Sequence, residues 1–485
     1  MTTPAGSPSP AGSAPAGGGV PAGCGAPLTE TERAARSARA AAVAERLGAS
    51  GVTMIALCWV DNTGVTRVKA IPAGRLERVA GWGAGMSPVF DVFLIDDSIT
   101  TSAHIGGPDG DLRLIPDLDR VTELAGQPGW AWAPVDRYTQ DGQEYVACQR
   151  SFARRMAGLA AARGLEFRMS FEIEWAVGTE ADGSFAPACT GPAYGMTRLI
   201  ELSDYCREVV TALEREGVVV EQFHPEYAAG QLEVSVAPAA PAGAADLTAL
   251  ARQTIRAVSA RYGWQASFAP SVVAGGVGNG AHLHVSMWRD GRNLFAGGPG
   301  RHGLTADGEA FAGGILAALP ALAGIGMPSV ASYLRLVPSH WAGAYQCWGL
   351  ENREAALRLV TGSAGERDAR ANLEIKCFDG AANPYLVAGS LIAAGLAGLD
   401  EGASLPPEVQ GDPAGLPAPE LASRGVRRLP QSMDEAIGQL AGSGLLRKAL
   451  GDPLFEAILA VRRGEAALFA GASADQVAAQ TRWRW

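Results

Sequence analysis

The stretch "GVGNGAHLHVSMW", residues 276–288, decides how this chain is organised. The whole chain has only six histidines, and two of them, His282 and His284, stand two residues apart behind a run of glycines. Side chains alternate between the two faces of a β-strand, so this stretch places His282, His284 and Ser286 on one face and apolar residues on the other. The stretch therefore predicts a core strand with one polar, imidazole-bearing face.

Three further segments show the same alternation, with carboxylates on the polar face. They are "FRMSFEIEWAV" with Glu172 and Glu174, "HPEYAAGQLEVSV" with Glu226 before a turn and Glu233 in the strand after it, and "NLEIKCFD" with Glu374 beside Lys376. A single strand of this kind is more often half-buried, with its polar side in water. Four such strands in one chain favour a shared site.

If these polar faces meet, five carboxylates and His282 form one site. Five carboxylates cannot stay ionised close together in a cavity of low dielectric constant without countercharge. Divalent cations would supply it, and oxygen-rich ligation favours Mg²⁺ or Mn²⁺ over zinc. Two such ions would nearly neutralise the carboxylates, and paired divalent ions suit phosphoryl transfer.

The segment at residues 333–360 adds Arg335, Arg353 and Arg358. Arginines on a helix and a loop are commonly surface residues. The alternative is that they bind carboxylate or phosphate groups, whose geometry guanidinium matches best. A metal site needs positive partners for its substrate, so the two observations support each other.

The composition narrows the class of protein. The chain has 485 residues, enough for two or more domains, and a formal net charge of −10. No cluster of Lys or Arg resembles a nucleic-acid patch. The seven cysteines contain no CxxC pair, which favours a reducing compartment and disfavours a zinc module. The N-terminal region lacks the features of a signal peptide, and runs such as residues 386–399 are too short to span a membrane. We therefore expect a soluble cytoplasmic protein that binds neither nucleic acid nor membranes.

Local patterns predict several elements. Residues 1–27 are of low complexity and are predicted to form a disordered tail. Thr29 or Thr31 can cap a following helix that Gly48 ends. Residues 53–73 are typical of two strands around the turn Asp61-Asn62-Thr63-Gly64. Residues 433–451 indicate a helix that closes at Gly451.

Taken together, these motifs resemble the glutamine synthetase family, and the likeness covers most of residues 55–470. The matching stretches are "FEIEW", "HPEYAAGQLEV", "GVGNGAHLHVSMW", "RLVPSHW", "ENREAALRLV" and "NLEIKCFDGAANPYL". The resemblance implies an α+β fold, with a small N-terminal β-grasp-like domain (residues 28–147) and a large C-terminal catalytic domain of curved antiparallel strands with helices (residues 148–485). It also implies a homo-oligomer of hexameric rings forming a dodecamer, with active sites between neighbouring subunits.

The resemblance implies roles for individual residues. The ligands of one metal ion would be Glu174, Glu226 and Glu233, and those of the other Glu172, His282 and Glu374. The residues facing ATP and its phosphates would be His284, Ser286, Arg353 and Arg358. Each site would thus hold two or more Mg²⁺ or Mn²⁺ ions, with ATP as cosubstrate.

The same resemblance implies the substrate and catalytic groups. Arg335 would hold the glutamate carboxylate, and Gly278 lies in the glutamate-binding loop. Asp61 would extend from a neighbouring subunit towards the amine, and it is counted as catalytic together with Arg353 and Glu226. In the implied reaction, ATP phosphorylates the γ-carboxylate of glutamate and an amine then displaces phosphate to form an amide.

Two positions depart from the ammonia-using pattern. Trp341 stands where those members carry a glutamate that helps to bind ammonium, and its indole favours an amine that carries carbon. Lys376 replaces an arginine that contacts glutamate and phosphate, which puts in question whether L-glutamate is the only acid substrate. Both positions count as substrate-binding.

We therefore predict an ATP-dependent ligase that joins the γ-carboxyl of glutamate to a small organic amine such as ethanolamine, a monoamine or a polyamine. A polyamine would need further carboxylates, which the sequence does not place, so a short amine is slightly favoured. The alternatives are a glutamine synthetase that uses ammonia and, less favoured, a noncatalytic regulatory paralogue. The segment "TRWRW", residues 481–485, has no role that follows from the sequence.

Overall fold

The computed structural model describes residues 26–485. Most of the tail predicted at residues 1–27 therefore lies outside the described residues. The α-helices are α1 (Glu30–Ala49), α2 (Leu76–Trp82), α3 (Gln149–Ala161), α4 (Met196–Glu201), α5 (Ser203–Arg215), α6 (Pro241–Arg261), α7 (Ala306–Gly326), α8 (Ser332–Arg335), α9 (Arg367–Arg370), α10 (Pro384–Glu401), α11 (Ala418–Ser423), α12 (Met433–Ala441), α13 (Gly444–Leu450), α14 (Asp452–Leu468) and α15 (Ala474–Thr481).

The strands form three sheets. They are β1 (Met54–Val60), β2 (Thr66–Pro72), β3 (Ala84–Met86), β4 (Leu112–Pro116), β5 (Thr122–Glu123), β6 (Trp130–Thr139), β7 (Glu166–Phe171), β8 (Ile173–Ala181), β9 (Ser184–Pro187), β10 (Val220–Pro225), β11 (Gln231–Val236), β12 (Gln265–Ser267), β13 (Leu283–Arg289), β14 (Arg292–Asn293), β15 (Tyr345–Leu350), β16 (Ala355–Val360), β17 (Asn372–Ile375) and β18 (Arg427–Arg428). The fold thus mixes helices and sheets, as the α+β prediction requires.

The N-terminal sheet has the order β2-β1-β6-β4-β3, with β5 on β6. β1 and β2 form the predicted hairpin, with Val60 opposite Thr66 across the turn. β1 and β6 run parallel, so this sheet is mixed. Thr29 caps α1 in a capping box with Glu32, as one of the two predicted caps. The predicted domain boundary at residues 147/148 falls between β6 and α3.

Two further sheets carry the motifs that the sequence singled out. One has the order β10-β11-β8-β12 with β9 on β8, and its strand pairs are antiparallel. The other has the order β14-β13-β17-β16-β15-β18 with β7 on β13. It is antiparallel except for the parallel pair β15 and β16. The motif strands β8, β11, β13 and β17 thus belong to two different sheets.

The single strand predicted at residues 167–177 is in fact two strands. β7 pairs with β13 and β8 pairs with β11, and Glu172 is the residue between them. The backbone N–H of Glu172 donates to the carbonyl of His282 at 3.0 Å. The chain therefore changes sheets at Glu172, which joins the polar faces of both sheets at one point.

Helices α7 and α10 form an apolar centre in the part of the chain that follows β6. α10 packs against α7, α3 and α6, and nearly all of its residues are buried. Two glycines allow the close approach of α10 and α7, because a Cβ at Gly314 would lie 2.6 Å from Cα of Gly398. α7 is long and apolar enough to cross a membrane by length and composition alone, but 78% of its apolar window is buried inside the protein. It is therefore a core helix.

The helix predicted at residues 433–451 is also interrupted. α12 ends at Ala441 and α13 begins at Gly444, and Ser443 caps the second helix by accepting a hydrogen bond from the N–H of Leu446 at 3.2 Å. Gly442 and Ser443 disfavour a continuous helix, since serine competes for the backbone at a cap.

Candidate active site

Strands β10, β11 and β8 place three acid or imidazole side chains next to one another. Glu233 on β11 is opposite Glu174 on β8 and opposite His224 on β10. Such cross-strand neighbours are close enough to interact directly. Nε2 of His224 lies 3.4 Å from Oε1 of Glu233, and Nδ1 lies 3.6 Å from Oε1 of Glu226. His224, Glu226 and Glu233 therefore form one compact group of possible metal ligands.

A second group forms at the junction of the sheets. Nε2 of His284 lies 3.0 Å from Oε1 of Glu172, and His284 is opposite Glu374 across β13 and β17. Glu172, His284 and Glu374 thus offer ligand atoms to one position. His282 belongs to the same region, since its Nδ1 lies 2.7 Å from Oε2 of Glu172 and 3.4 Å from Oε1 of Glu374.

Glu174 connects the two groups. Its Oε1 lies 3.9 Å from Nε2 of His282, and Glu174 is the strand neighbour of Glu233. The structure thus brings together the side chains proposed as metal ligands. We call them the carboxylate cluster: Glu172, Glu174, Glu226, Glu233, Glu374 and His282.

The electrostatics of the cluster fit divalent cations. Burial raises the pKa of Glu233 to about 8, and the charges of Glu172 and Glu174 add to this effect. Burial also tends to raise the pKa of Glu374, but Lys376 and His284 hold it down to about 2. Without countercharge, Glu233 would keep a proton that a metal ion can replace. The residues present, five carboxylates with flanking imidazoles, match the oxygen-rich donor set that Mg²⁺ and Mn²⁺ prefer.

Glu374 has two cationic partners. Lys376 Nζ donates to Oε1 of Glu374 at 2.9 Å, and Arg358 Nη1 donates to Oε2 at 2.8 Å. Arg358 also donates to Oε2 of Glu351 at 2.6 Å. Arg358 and Lys376, proposed as phosphate and substrate ligands, therefore stand at the edge of the cluster.

Arg335 lies behind His282. Its Nη2 is 3.1 Å from Nε2 of His282, and its guanidinium also donates to the carbonyls of Lys376 and Cys377 at 3.2 Å. The side chain is buried. A guanidinium fixed in this way stands beside the cluster, where it can bind a substrate carboxylate.

Two glycines before β13 serve the packing of the protein itself. A Cβ at Gly278 would lie 1.9 Å from the carbonyl oxygen of Pro270, and one at Gly280 would lie 2.5 Å from Nε2 of His282. Gly280 N–H also donates to Oε2 of Glu174 at 2.8 Å. The absence of a Cβ at Gly278 and Gly280 therefore lets the backbone approach these protein groups closely.

Two amides that the sequence analysis missed hold Glu174. Gln231 Nε2 lies 3.1 Å from Oε2 of Glu174 and 3.0 Å from Oδ1 of Asn279. Asn279 Nδ2 in turn donates to the carbonyls of Ser267 and Ala269. Both amides stand inside quoted motifs, but nothing in their spacing distinguishes a buried supporting amide from a loop residue.

Ser286 and Arg353 lie outside the carboxylate cluster. Ser286 follows His284 by two residues on β13 and accepts a hydrogen bond from Nε1 of Trp288 at 2.8 Å. Arg353 is exposed between β15 and β16 and lines a cavity of about 620 Å³. Their roles towards ATP remain predictions.

Trp341 stands at this same cavity. The indole is 51% exposed, and its backbone N–H donates to Oε1 of Glu354 at 2.7 Å. Four carboxylates line the cavity, and we call it the acidic cavity: Glu351, Glu354, Glu408 and Asp412. Arg358 binds both Glu351 in this wall and Glu374 in the cluster, so one side chain connects the acidic cavity with the carboxylate cluster.

Asp61 is not presented outwards. Its carboxylate is fully buried and accepts bonds from the N–H and hydroxyl of Thr63, the N–H of Val65 and Nε of Arg67. The turn between β1 and β2 thus occupies one oxygen, and Arg67 on β2 occupies the other. The role of Asp61 towards an amine at a neighbouring subunit stays a prediction, and within its own subunit the carboxylate is bound by Thr63, Val65 and Arg67.

Comparisons of the sequence with known proteins identify relatives of this chain. The family model "Glutamine synthetase, catalytic domain" matches residues 146–480. A Gamma-glutamylpolyamine synthetase GlnA3 from Streptomyces coelicolor is 56% identical over 92% of this chain and 97% of its own length. A glutamine synthetase from Clostridium saccharobutylicum is 28% identical over 86% of this chain and 92% of its own.

Solved structures share the fold. A crystal structure of a "novel glutamine synthase homolog" has a TM-score of 0.80 and 32% identity, and covers 90% of this chain and 99% of its own. A "GmaS/ADP complex" has a TM-score of 0.78 and 27% identity, and covers 89% of this chain and 96% of its own.

Proposed function

The chain belongs to the glutamine synthetase family and is an ATP-dependent γ-glutamyl-amine ligase, and we propose that the amine it uses is a polyamine. The acidic cavity carries this proposal. The relative from Streptomyces coelicolor, which is named for polyamines, supports it.

The charges of the acidic cavity suit a substrate with more than one ammonium group. Four carboxylates and Trp341 line it, against a single arginine, Arg353. One amino group of a polyamine must lose its proton before its nitrogen can attack. A second amino group stays protonated and needs anionic partners. The exposed indole of Trp341 offers a face for the carbon chain or for a cation–π contact.

The carboxylates of the cavity are held in position. Nε2 of His302 lies 2.6 Å from Oε2 of Glu408, and Ser339 Oγ donates to Oδ2 of Asp412 at 2.6 Å. Glu354 is held by the N–H of Trp341. Glu351 already pairs with Arg358 and Glu408 with His302, whereas a monoamine would bring no second cation to Glu354 and Asp412, which is why we now favour a polyamine over the short amine that the sequence favoured.

In the proposed reaction, Arg335 binds the carboxylate of glutamate, in the loop that contains Gly278. Arg353 and Arg358, with His284 and Ser286, hold the phosphates of ATP. Transfer of the γ-phosphoryl group to the γ-carboxylate gives an acyl phosphate and ADP. The amine then attacks this carbon, phosphate leaves, and Glu226 takes the proton from the amine.

The carboxylate cluster would hold Mg²⁺ or Mn²⁺, which supply electrostatic stabilisation of the transferring phosphoryl group when bound. His224, which contacts Glu226 and Glu233, is a further candidate ligand or orienting group. We also propose a cytoplasmic location, on the composition, and a homo-oligomer of hexameric rings that form a dodecamer, on the family resemblance.

An amine panel tests the proposal. Phosphate release with ATP, glutamate and Mg²⁺ is compared among a diamine, a triamine, the monoamine of equal carbon count, ethanolamine and ammonium. We expect the polyamines to have the highest kcat/KM. If ammonium or the matched monoamine performs as well, the acidic cavity does not select the amine.

Substitutions in the acidic cavity test whether it determines the selectivity for the amine. We expect the double substitution Glu408→Gln with Asp412→Asn to lower kcat/KM for the diamine about tenfold, equivalent to about 1.4 kcal/mol, and to leave the matched monoamine unchanged. Trp341→Glu should raise the use of ammonium and lower that of polyamines. Glu401→Gln, at the exposed end of α10, is the matched control. An equal loss for the diamine and the monoamine would contradict the assignment.

A further inference from the structure

A second cavity, of about 160 Å³, lies where the N-terminal hairpin, α6 and the last residues of the chain meet. We call it the C-terminal cavity. Three arginines, two tryptophans and a threonine are among the residues that line it: Arg252, Arg256, Arg484, Trp483, Trp485 and Thr66. It thus involves the aromatic and basic segment whose role did not follow from the sequence.

The walls of the C-terminal cavity are well anchored. Nε1 of Trp485 donates to the carbonyl of Thr63 at 2.7 Å, and a main-chain oxygen of Trp485 accepts from the N–H of Phe268 at 3.0 Å. The guanidinium carbons of Arg252 and Arg256 lie 5.5 and 5.1 Å from the centroid of the Phe268 ring. Both arginines therefore pack against the ring of the same residue, Phe268.

Arg252 and Arg256 form no ion pair with any residue that the structure describes. Arg252 is 6% exposed, and its Nε has no hydrogen-bond acceptor. Along residues 26–485, no carboxylate lies within 4.0 Å of either guanidinium, whereas Arg484 lies 3.5 Å from Asp97. Burial lowers the pKa of both Arg252 and Arg256 to about 10, and in Arg252 the charge of Arg256 adds to this while Asp379 opposes it. Both side chains still carry their charge at neutral pH.

A buried charge such as that of Arg252 is costly without countercharge, and the like charge of the half-buried Arg256 adds to the cost. Guanidinium groups match the planar and tetrahedral oxyanions, carboxylate and phosphate, better than they match halide ions. The cavity volume corresponds to about five water molecules at roughly 30 Å³ each, enough for one such group.

We infer that the C-terminal cavity binds a small oxyanion, a phosphate or a carboxylate, between Arg252 and Arg256. The bound anion links the hairpin of the N-terminal sheet, α6 and the C-terminal segment, so its binding stabilises the joint between these parts. This site is separate from the acidic cavity, with which it shares no lining residue.

The test measures the melting temperature of the full chain in a series of inorganic phosphate and of acetate, with chloride balancing the ionic strength. We expect a saturating rise in the native protein with at least one of the two oxyanions. Arg252→Gln and Arg256→Gln should each raise the half-saturating concentration about tenfold or more, because hydrogen bonds to charged groups contribute that much. Arg261→Gln, on the same helix but paired with Glu208, should behave as the native protein does.

The arginines of the active site can also bind phosphate, so Arg353→Gln is measured in parallel. A rise that persists in Arg353→Gln and is weakened in Arg252→Gln supports the inference. A rise that is lost in Arg353→Gln and kept in Arg252→Gln overturns it. The absence of any rise with either oxyanion also overturns it, since the two charges are then balanced by a group of the protein itself.

Discussion

At the scale of single residues, Glu233 is the most informative member of the carboxylate cluster. It lies between Glu174 and His224 on neighbouring strands, and burial, with a further contribution from the charges of Glu172 and Glu174, raises its pKa to about 8. Glu233→Gln keeps the shape and removes a charged ligand. We expect ATP turnover to fall more than about a hundredfold, since even groups that only orient metal ligands contribute 10–100-fold.

The same variant is measured by calorimetric titration with Mg²⁺, which should show weakened binding. Glu221→Gln, an exposed position on β10, is the control and should keep both properties. Unchanged magnesium binding in Glu233→Gln would show that the cluster is not the metal site.

The sequence predicted much of this site because its residues lie on strands with a period of two. The positions of Glu174, Glu233 and Glu374 follow from alternation alone. His224 was missed, although it precedes Glu226 by two residues and a period-two pattern could have shown it. The acidic cavity could not be predicted, since Asp412 comes from a Pro-rich loop distant in sequence from Trp341.

At the scale of elements, the contact between α7 and α10 depends on glycine. A Cβ at Gly314 would lie 2.5 Å from the carbonyl oxygen of Ala394, where backbone must move to make room. We expect Gly314→Ala to destabilise the protein by about 1–3 kcal/mol through overpacking, measured by urea unfolding. Gly438→Ala, on the exposed face of α12 with nothing within 4 Å, should instead stabilise by about 0.5–1 kcal/mol. Equal effects of the two changes would contradict this explanation.

Local sequence signals predicted where helices and strands form better than they predicted where a helix or strand is interrupted. The hairpin of β1 and β2 and the cap of α1 follow from turn and capping residues. The break at Glu172 does not, because alternation continues through it and only long-range pairing with β13 and β11 separates β7 from β8. Interruptions of this kind depend on tertiary contacts, which a local pattern does not contain.

At the scale of the whole molecule, Glu216 connects the two parts of the chain. It follows α5, and its Oε1 accepts from the N–H of Ala125 in the N-terminal part at 2.8 Å. The hydroxyl of Thr254 on α6 donates to its other oxygen. Burial raises the pKa of Glu216 from 4.5 to about 6, although both hydrogen bonds oppose the shift.

This shift gives the protein a defined pH dependence. Because the pKa is higher in the folded state, the proton on Glu216 stabilises the fold below about pH 4.5, and this contribution is lost as the pH rises through about 6. The loss is at most about 2 kcal/mol.

Glu216→Gln cannot lose a proton, so the free energy of unfolding of the native protein should fall relative to that of the variant between pH 4.5 and 7. Urea titrations at a fixed protomer concentration measure this difference, with the exposed Glu214→Gln as control. A difference that stays constant with pH would show that Glu216 is ionised in the folded protein throughout, and that the joint between the two parts tolerates a buried charge.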